Sequence, residues 1–201
     1  MRHLYSLWFK LNSWTFEGQS PKDLPKFIIA VAPHTANADF FIGVMARSYL
    51  QLKKTKYLGK SQLFKPPFGF IFRWLGGYPV DRSKNNNLVD AVVELFNSKA
   101  SFSIALAPEG TRKKVDKIKT GFYHIAKKAN VPIVLIGFDL ANKKIRICEA
   151  FMPGEDVLAD FKMIIDFFSS CKGIHPEKGI DPDMYQRMLP DLKAIQQAYS
   201  H

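Results

Sequence analysis

Cysteine is scarce, acid is in deficit, and no long apolar run is present. Two isolated cysteines, Cys148 and Cys171, in 201 residues cannot build a disulfide framework, which excludes knottin-like and zinc-ribbon designs and leaves both expected as reduced thiols. No apolar stretch approaches the roughly 18 residues that a membrane span needs, and the mean hydropathy is −0.11. Residues 4–14 are broken by Lys10 and by polar positions, and no small-x-small cleavage site follows. That pattern argues against a secretory signal and for a cytoplasmic protein. No repeat, low-complexity tract or linker interrupts the chain. One domain over residues 1–201 is therefore expected, with an amphipathic N-terminal segment at about 1–16.

The acid deficit points to an anionic partner. Lysine and arginine number 29 against 18 aspartates and glutamates, a net charge of +11. The surplus lies early: residues 153–201 hold eight acids and five bases, while 53–84 hold eight bases and one acid, and 112–128 seven bases and one acid. A solvated basic face is the plain reading of any single lysine, and nucleic acid, membrane surface and phosphorylated substrate are the partner classes to weigh. The chain shows no zinc-finger spacing, RNA-recognition aromatic signature or lysine-rich tail, so a nucleic-acid partner is not expected.

Short β-branched and aromatic runs predict strands at 27–32, 56–59, 78–80, 102–107, 132–137 and 144–149. Helical patterns fall at about 38–52, 87–97, 120–128 and 157–168, the first with Thr35 or Asn37 as its cap. This alternation predicts an α/β fold, a mostly parallel central sheet flanked by helices, with ligands gathered where loops leave the carboxyl ends of the strands.

Three segments at such strand ends carry chemistry. His34 and Asp39 follow the first strand. Five positions apart on one helix they would point about 140° apart, so they meet only if the histidine sits in the loop and the carboxylate in the first helical turn. That arrangement suits a general base, with one imidazole nitrogen held and the other open. Taken alone, a loop histidine beside a helix-start aspartate explains the spacing as well. In Pro108-Glu109-Gly110-Thr111-Arg112-Lys113, proline ends a strand, glycine permits an unusual turn, and donors converge on one spot that suits a phosphate; a solvated turn is the alternative. Gly76-Gly77-Tyr78-Pro79-Val80-Asp81-Arg82 ends in a fork-shaped phosphate donor, and Lys60 adds one cation. A metal site built from His34, Asp39, Glu109 and His124 lacks any His-Glu-x-x-His or comparable ligand pair, so no metal is expected.

In their order and spacing, His34-x4-Asp39, the Gly-to-Arg82 block, Pro108-Glu109-Gly110-Thr111-Arg112 and Val131-Pro132-Ile133-Val134 resemble the four sequence blocks of the glycerolipid acyltransferases of the lysophosphatidic acid acyltransferase type. The resemblance spans residues 33–134, about half of the chain. It implies that His34 deprotonates a hydroxyl of a lysophospholipid or glycerol-phosphate-like acceptor, which attacks an acyl thioester, and that Asp39 orients the imidazole. By the same resemblance Arg82, Glu109, Gly110, Thr111, Arg112 and, more weakly, Lys60 bind the acceptor, and Pro132 serves the acyl donor or shapes the site. It implies no metal and no bound cofactor, the co-substrate being acyl-CoA or acyl-carrier protein. Pro33, Pro79, Ala107 and Lys113 depart from the usual blocks; they alter the walls around the reacting hydroxyl and leave open transfer to another lipid precursor or a glycolipid.

Two apolar features suit a lipid enzyme. Residues 64–75 pack five aromatics into twelve positions, with Phe68, Phe70, Phe72 and Trp74 expected to touch membrane or acyl chain, and Leu4, Leu7, Trp8, Leu11 and Trp14 recur at helical spacing. Both are open to core packing or to interfacial docking. The docking reading places the protein on the inner face of the cytoplasmic membrane, on anionic lipid.

Overall fold

The most continuous apolar runs of the chain become its innermost strands. β2 (Lys26–Ala32), β5 (Phe102–Leu106) and β6 (Ile133–Asp139), with β1 (Thr15–Glu17) before them in the chain, β3 (Thr55–Lys60) and β4 (Gly77–Val80) between β2 and β5, and β7 (Lys144–Ile147) after them, form one seven-stranded sheet. This is a computed structural model, which describes residues 2–52, 54–80 and 85–200. The strand order is β1-β7-β6-β2-β5-β3-β4. Every pairing is parallel except β6 with β7, as expected for strands linked by helical crossovers. All seven residues of β6 are buried, since helices cover both its faces.

On one face lie α1 (Arg2–Leu11) and α2 (Ala38–Tyr49), whose Phe9 and Ala46, with Leu50 just past α2, pack on Phe27, Ile29, Val134 and Ile136. Beside α2 runs α3 (Gly69–Trp74), joined to it where Arg47 donates to the carbonyl of Leu75 at 3.3 Å. The other face carries α4 (Asn85–Asn97), α5 (Gly121–Ala129), α6 (Val157–Ser169) and α7 (Met184–Tyr199), which close over Ile28, Ala30, Ile104 and Leu135.

All six expected strands and four expected helices occur, with ends shifted by one or two residues in most cases. α2 stops at Tyr49 rather than near 52 because Gln51 adopts φ 62°. Three elements were not expected: β1, α3 and α7. The N-terminal helix divides between core and surface. Phe9, off the Leu4-Leu7-Leu11 stripe, is the residue that enters the core, among Trp14, Phe16 and Tyr49. The leucines of the stripe face outward. Among the described residues no helix is long and apolar enough to cross a membrane.

Candidate active site

Because β2 and β5 are parallel neighbours in register, with Ala30 opposite Leu106, the loops that leave them rise over the same end of the sheet. His34 sits in the first of these loops and Asp39 in the first turn of α2, the one arrangement that lets them meet. His34 Nδ1 lies 3.5 Å from Asp39 Oδ2, with the imidazole a quarter exposed and the carboxylate fully buried. The same Oδ2 accepts the N–H of Thr35 at 2.6 Å and of Ala36 at 2.8 Å. Burial pushes the Asp39 carboxyl up, but the bonds from His34, Ala36 and Thr35 outweigh it and hold the group below its ordinary value. Asp39 is therefore a fixed anion under one imidazole nitrogen. The expected caps differ: Asn37 makes no side-chain cap, and the Thr35 hydroxyl accepts instead from the N–H of His175 at 3.3 Å.

The second loop meets the first through Glu109. Its carboxylate is 3% exposed and takes the backbone N–H of His34 on both oxygens, at 3.0 and 3.1 Å. Burial drives this carboxyl up to about 7; the His34 N–H and the His34 charge oppose that, and the Asp39 charge adds to it. Glu109 thus ties its loop to the backbone of the base through both of its oxygens. Gly110 follows with φ +68°, a left-handed turn that a side chain resists. Thr111 and Arg112 then project into solvent. A Cβ on Gly110 would stand 3.1 Å from the amine of Lys119, so Lys119 adds a cation to this loop. In the sequence Lys119 is one of seven bases in residues 112–128, and nothing local sets it apart from the others.

The remaining expected residues divide. Lys60 closes β3 at the same end of the sheet, and Arg82 lies outside the described residues. Pro132 stands at the opposite end: it precedes β6, and its carbonyl accepts from Ile28 at the start of the β2 pairing. Five paired residues of β2 and β6 separate that level from the end of β2, about 17 Å at 3.3 Å per residue, so Pro132 takes no part in this cluster. His124 belongs to α5 and meets the Tyr199 hydroxyl of α7 at 2.6 Å, away from the other three members of the metal set considered above. Phe68, Phe70 and Trp74 are exposed to 65%, 68% and 68%. Phe72 is turned inward, half-buried against the ring of Phe64, with its carbonyl accepting from the Tyr57 hydroxyl, so it differs from the other three in exposure.

Comparison with known proteins gives the arrangement its context. Residues 15–139 match the family model described as Acyltransferase. The 1-acyl-sn-glycerol-3-phosphate acyltransferase of Escherichia coli (strain K12) is 28% identical over 152 residues, covering 72% of this chain and 61% of that protein. The protein of the same name from Salmonella typhimurium is 29% identical over 153 residues, with the same coverage. The chain thus spans about three fifths of the length of these relatives. The crystal structure of the 1-acyl-sn-glycerophosphate (LPA) acyltransferase PlsC from Thermotoga maritima superposes with a TM-score of 0.52 at 19% identity, over 99% of this chain and 78% of that one, a likeness of fold. Matched by the family model over more than half of its length, this chain belongs to the acyltransferase family.

Proposed function

We propose that the protein transfers a fatty acyl group from an acyl thioester, acyl-CoA or acyl-carrier protein, to the hydroxyl of a lysophosphatidic acid-like acceptor. The observation that carries this reading is the pair of loops on β2 and β5: a part-exposed imidazole seated on a buried carboxylate, beside a turn that presents Thr111 and Arg112. In the reaction His34 Nε2 takes the proton of the acceptor hydroxyl as its oxygen attacks the thioester carbonyl. The carbon–sulfur bond breaks on collapse of the tetrahedral intermediate, and the imidazolium returns the proton to the departing thiolate. Asp39 fixes the ring by holding Nδ1 and stabilises the transient imidazolium. Arg112, with Lys119 and by the resemblance Arg82 and Lys60, holds the acceptor phosphate by charge-assisted bonds. The reaction needs no metal and no bound cofactor.

The same reading places the protein on an anionic membrane surface. An acceptor of this kind stays in the bilayer, and the apolar side chains of α1 and α3 offer a docking face. A few inserted aromatics with nearby lysines and arginines, each cation contributing about 1 kcal/mol, give binding that weakens with salt. Incubation with labelled acyl-CoA or acyl-carrier protein and a panel of lyso-acceptors, with products read by mass, tests the activity. Esterified lysophosphatidate is the expected product; esterification only of phosphate-free acceptors overturns the assignment of Arg112. Phosphate-bearing glycolipid products would move the acceptor class and keep the chemistry.

A further inference from the structure

The stretch matched by the family model ends at residue 139, yet a later segment lies against both loops of the site. After α6 the chain crosses the end of the sheet between Cys171 and Asp181. At its start it is moored to β6. The Lys172 N–H donates to Asp139 Oδ1 at 3.2 Å, and its carbonyl accepts from Leu140 at 2.8 Å. Cys171 lies so close that a Cβ on Gly137 would stand 2.4 Å from its sulfur. At its far end Asp181 takes Arg187 Nη2 of α7 on both oxygens, each at 2.8 Å.

Between these moorings the strap touches the residues on either side of His34. His175 N–H donates to Thr35 Oγ1, and a Cβ on Gly173 would stand 2.7 Å from that oxygen and 3.1 Å from Pro33 Cγ. Only glycine fits at 173. Thr35 is 3% exposed and gives its own N–H to Asp39 at 2.6 Å, so one residue joins the strap to the orienting carboxylate. The second loop is tied as well. Lys114, two residues past Arg112, donates to Asp181 Oδ2 and to the carbonyl of Gly179, both at 2.7 Å. Its charge is therefore engaged by the strap.

We propose that the strap at 171–181 is a positioning element of the active site: through Thr35 it fixes the His34 loop and through Lys114 the Arg112 loop, and so sets the gap between base and acceptor anion. The proposal rests on the acyl-transfer reading above. Gaps of this kind matter because a misplacement of about 1 Å in a bound reactant can lower rate by about 10²-fold. The sign of one substitution separates positioning from charge. Asp181→Asn removes a negative charge near the anion loop, so electrostatics alone tightens the acceptor, whereas release of Lys114 from the strap loosens it.

Steady-state kinetics with acyl-CoA and lysophosphatidate, paired with amide hydrogen exchange read by mass over 33–39 and 110–116, tests this. Thr35→Val should lower kcat about tenfold, the effect of losing a buried hydrogen bond, with acceptor KM nearly unchanged and exchange at 33–39 faster; Thr35→Ser should restore both. Asp181→Asn should raise acceptor KM several-fold with kcat held and exchange at 110–116 faster. Lys162→Met, which cuts an ion pair within α6, should change none of these. A lower or unchanged acceptor KM in Asp181→Asn, or losses that only track the folded fraction, overturns the proposal. If the parent acylates no acceptor, the functional reading fails by itself, and exchange decides the strap: loops that stay protected in both variants overturn it, and loops that loosen selectively support it.

Discussion

The face that carries α1, α2 and α3 leaves Leu4, Leu11, Phe41, Phe68, Phe70 and Trp74 largely exposed, whereas the face under α4 to α7 buries its aromatics and finishes its surface with ion pairs. There Phe96, Phe122, Phe161 and Phe168 are at most 2% exposed, and Lys114–Asp181, Lys117–Asp191, Lys128–Asp90 and Lys162–Asp166 run along the outside. An apolar helix surface of this extent is what interaction sites present, and charged pairs are what water-facing helices present. The two faces thus differ in surface chemistry while sharing one seam, the carboxyl ends of β2 and β5. The base loop roots in both: Asp39 comes from α2 on the apolar face, and Thr35 holds the segment that leads into α7 on the charged one.

The largest effect should come from the seam, and it should leave both faces alone. His34→Ala is expected to lower turnover by about 10²–10⁴, the usual contribution of a general base, with unchanged melting temperature and unchanged vesicle binding. Asp39→Asn should also be severely impaired, since it unseats the ring. Near-normal turnover in a folded His34→Ala protein would remove the chemistry from the seam.

Next in size is a contrast between two aromatic substitutions, one from each face. Phe161→Ala should destabilise the protein by about 3–5 kcal/mol, the range for a large side chain lost from a packed interior. The triple variant Phe68→Ser, Phe70→Ser, Trp74→Ser should shift stability little for surface positions and abolish binding to anionic vesicles, measured by sedimentation at low and high salt. If the triple variant unfolds instead, the apolar face is core and the comparison collapses.

Most of the central sheet was legible in the sequence, because buried parallel strands read as unbroken apolar runs and need no partner to be seen. The His34–Asp39 pair was legible for a related reason: the spacing allows contact in one local arrangement only. Other features needed three dimensions. Glu109 meets His34 across 75 residues, and Lys114 meets Asp181 across 67, which no local pattern encodes. Phe72 could not be told from Phe70 inside a uniform aromatic run until the six-residue α3 set their directions. The position of Pro132 was readable as well, since a residue that precedes a parallel strand lies at the end opposite the loops that carry His34 and Arg112. α7 was readable too: Met184, Met188 and Leu192, all buried, recur every four residues.

A smaller effect is expected from pH, and the two carboxylates of the seam should act in opposite directions. Glu109 is raised to about 7 in the fold from an ordinary 4.5, so its contribution to stability is full below about pH 4.5 and is lost as pH rises through about 7. Asp39 is lowered, so its contribution is present above the ordinary aspartate value and is lost as pH falls through its folded one. Between pH 4.5 and 7 the Glu109 proton gives stability a downward slope of at most about 1.4 kcal/mol per pH unit. Glu109→Gln, which keeps an acceptor for the His34 N–H, should flatten that slope in urea titrations. An unchanged slope would show that Glu109 does not titrate in this range.

The smallest effect is expected on the charged side. Lys162 and Asp166 lie four apart on α6 with both side chains about half exposed, so water and salt screen their attraction. A double-mutant cycle with Lys162→Met and Asp166→Asn should return a coupling of about 0.3–0.5 kcal/mol, falling further at high salt. Such a pair does little for stability; what it supplies is charge on a helix surface whose exposed apolar contribution is Met163. The single Lys162→Met protein should therefore bind anionic vesicles as the parent does, although it has lost a cation. Reduced binding would mean that α6 also faces the lipid, and the assignment of one face to water and the other to the membrane would have to be given up.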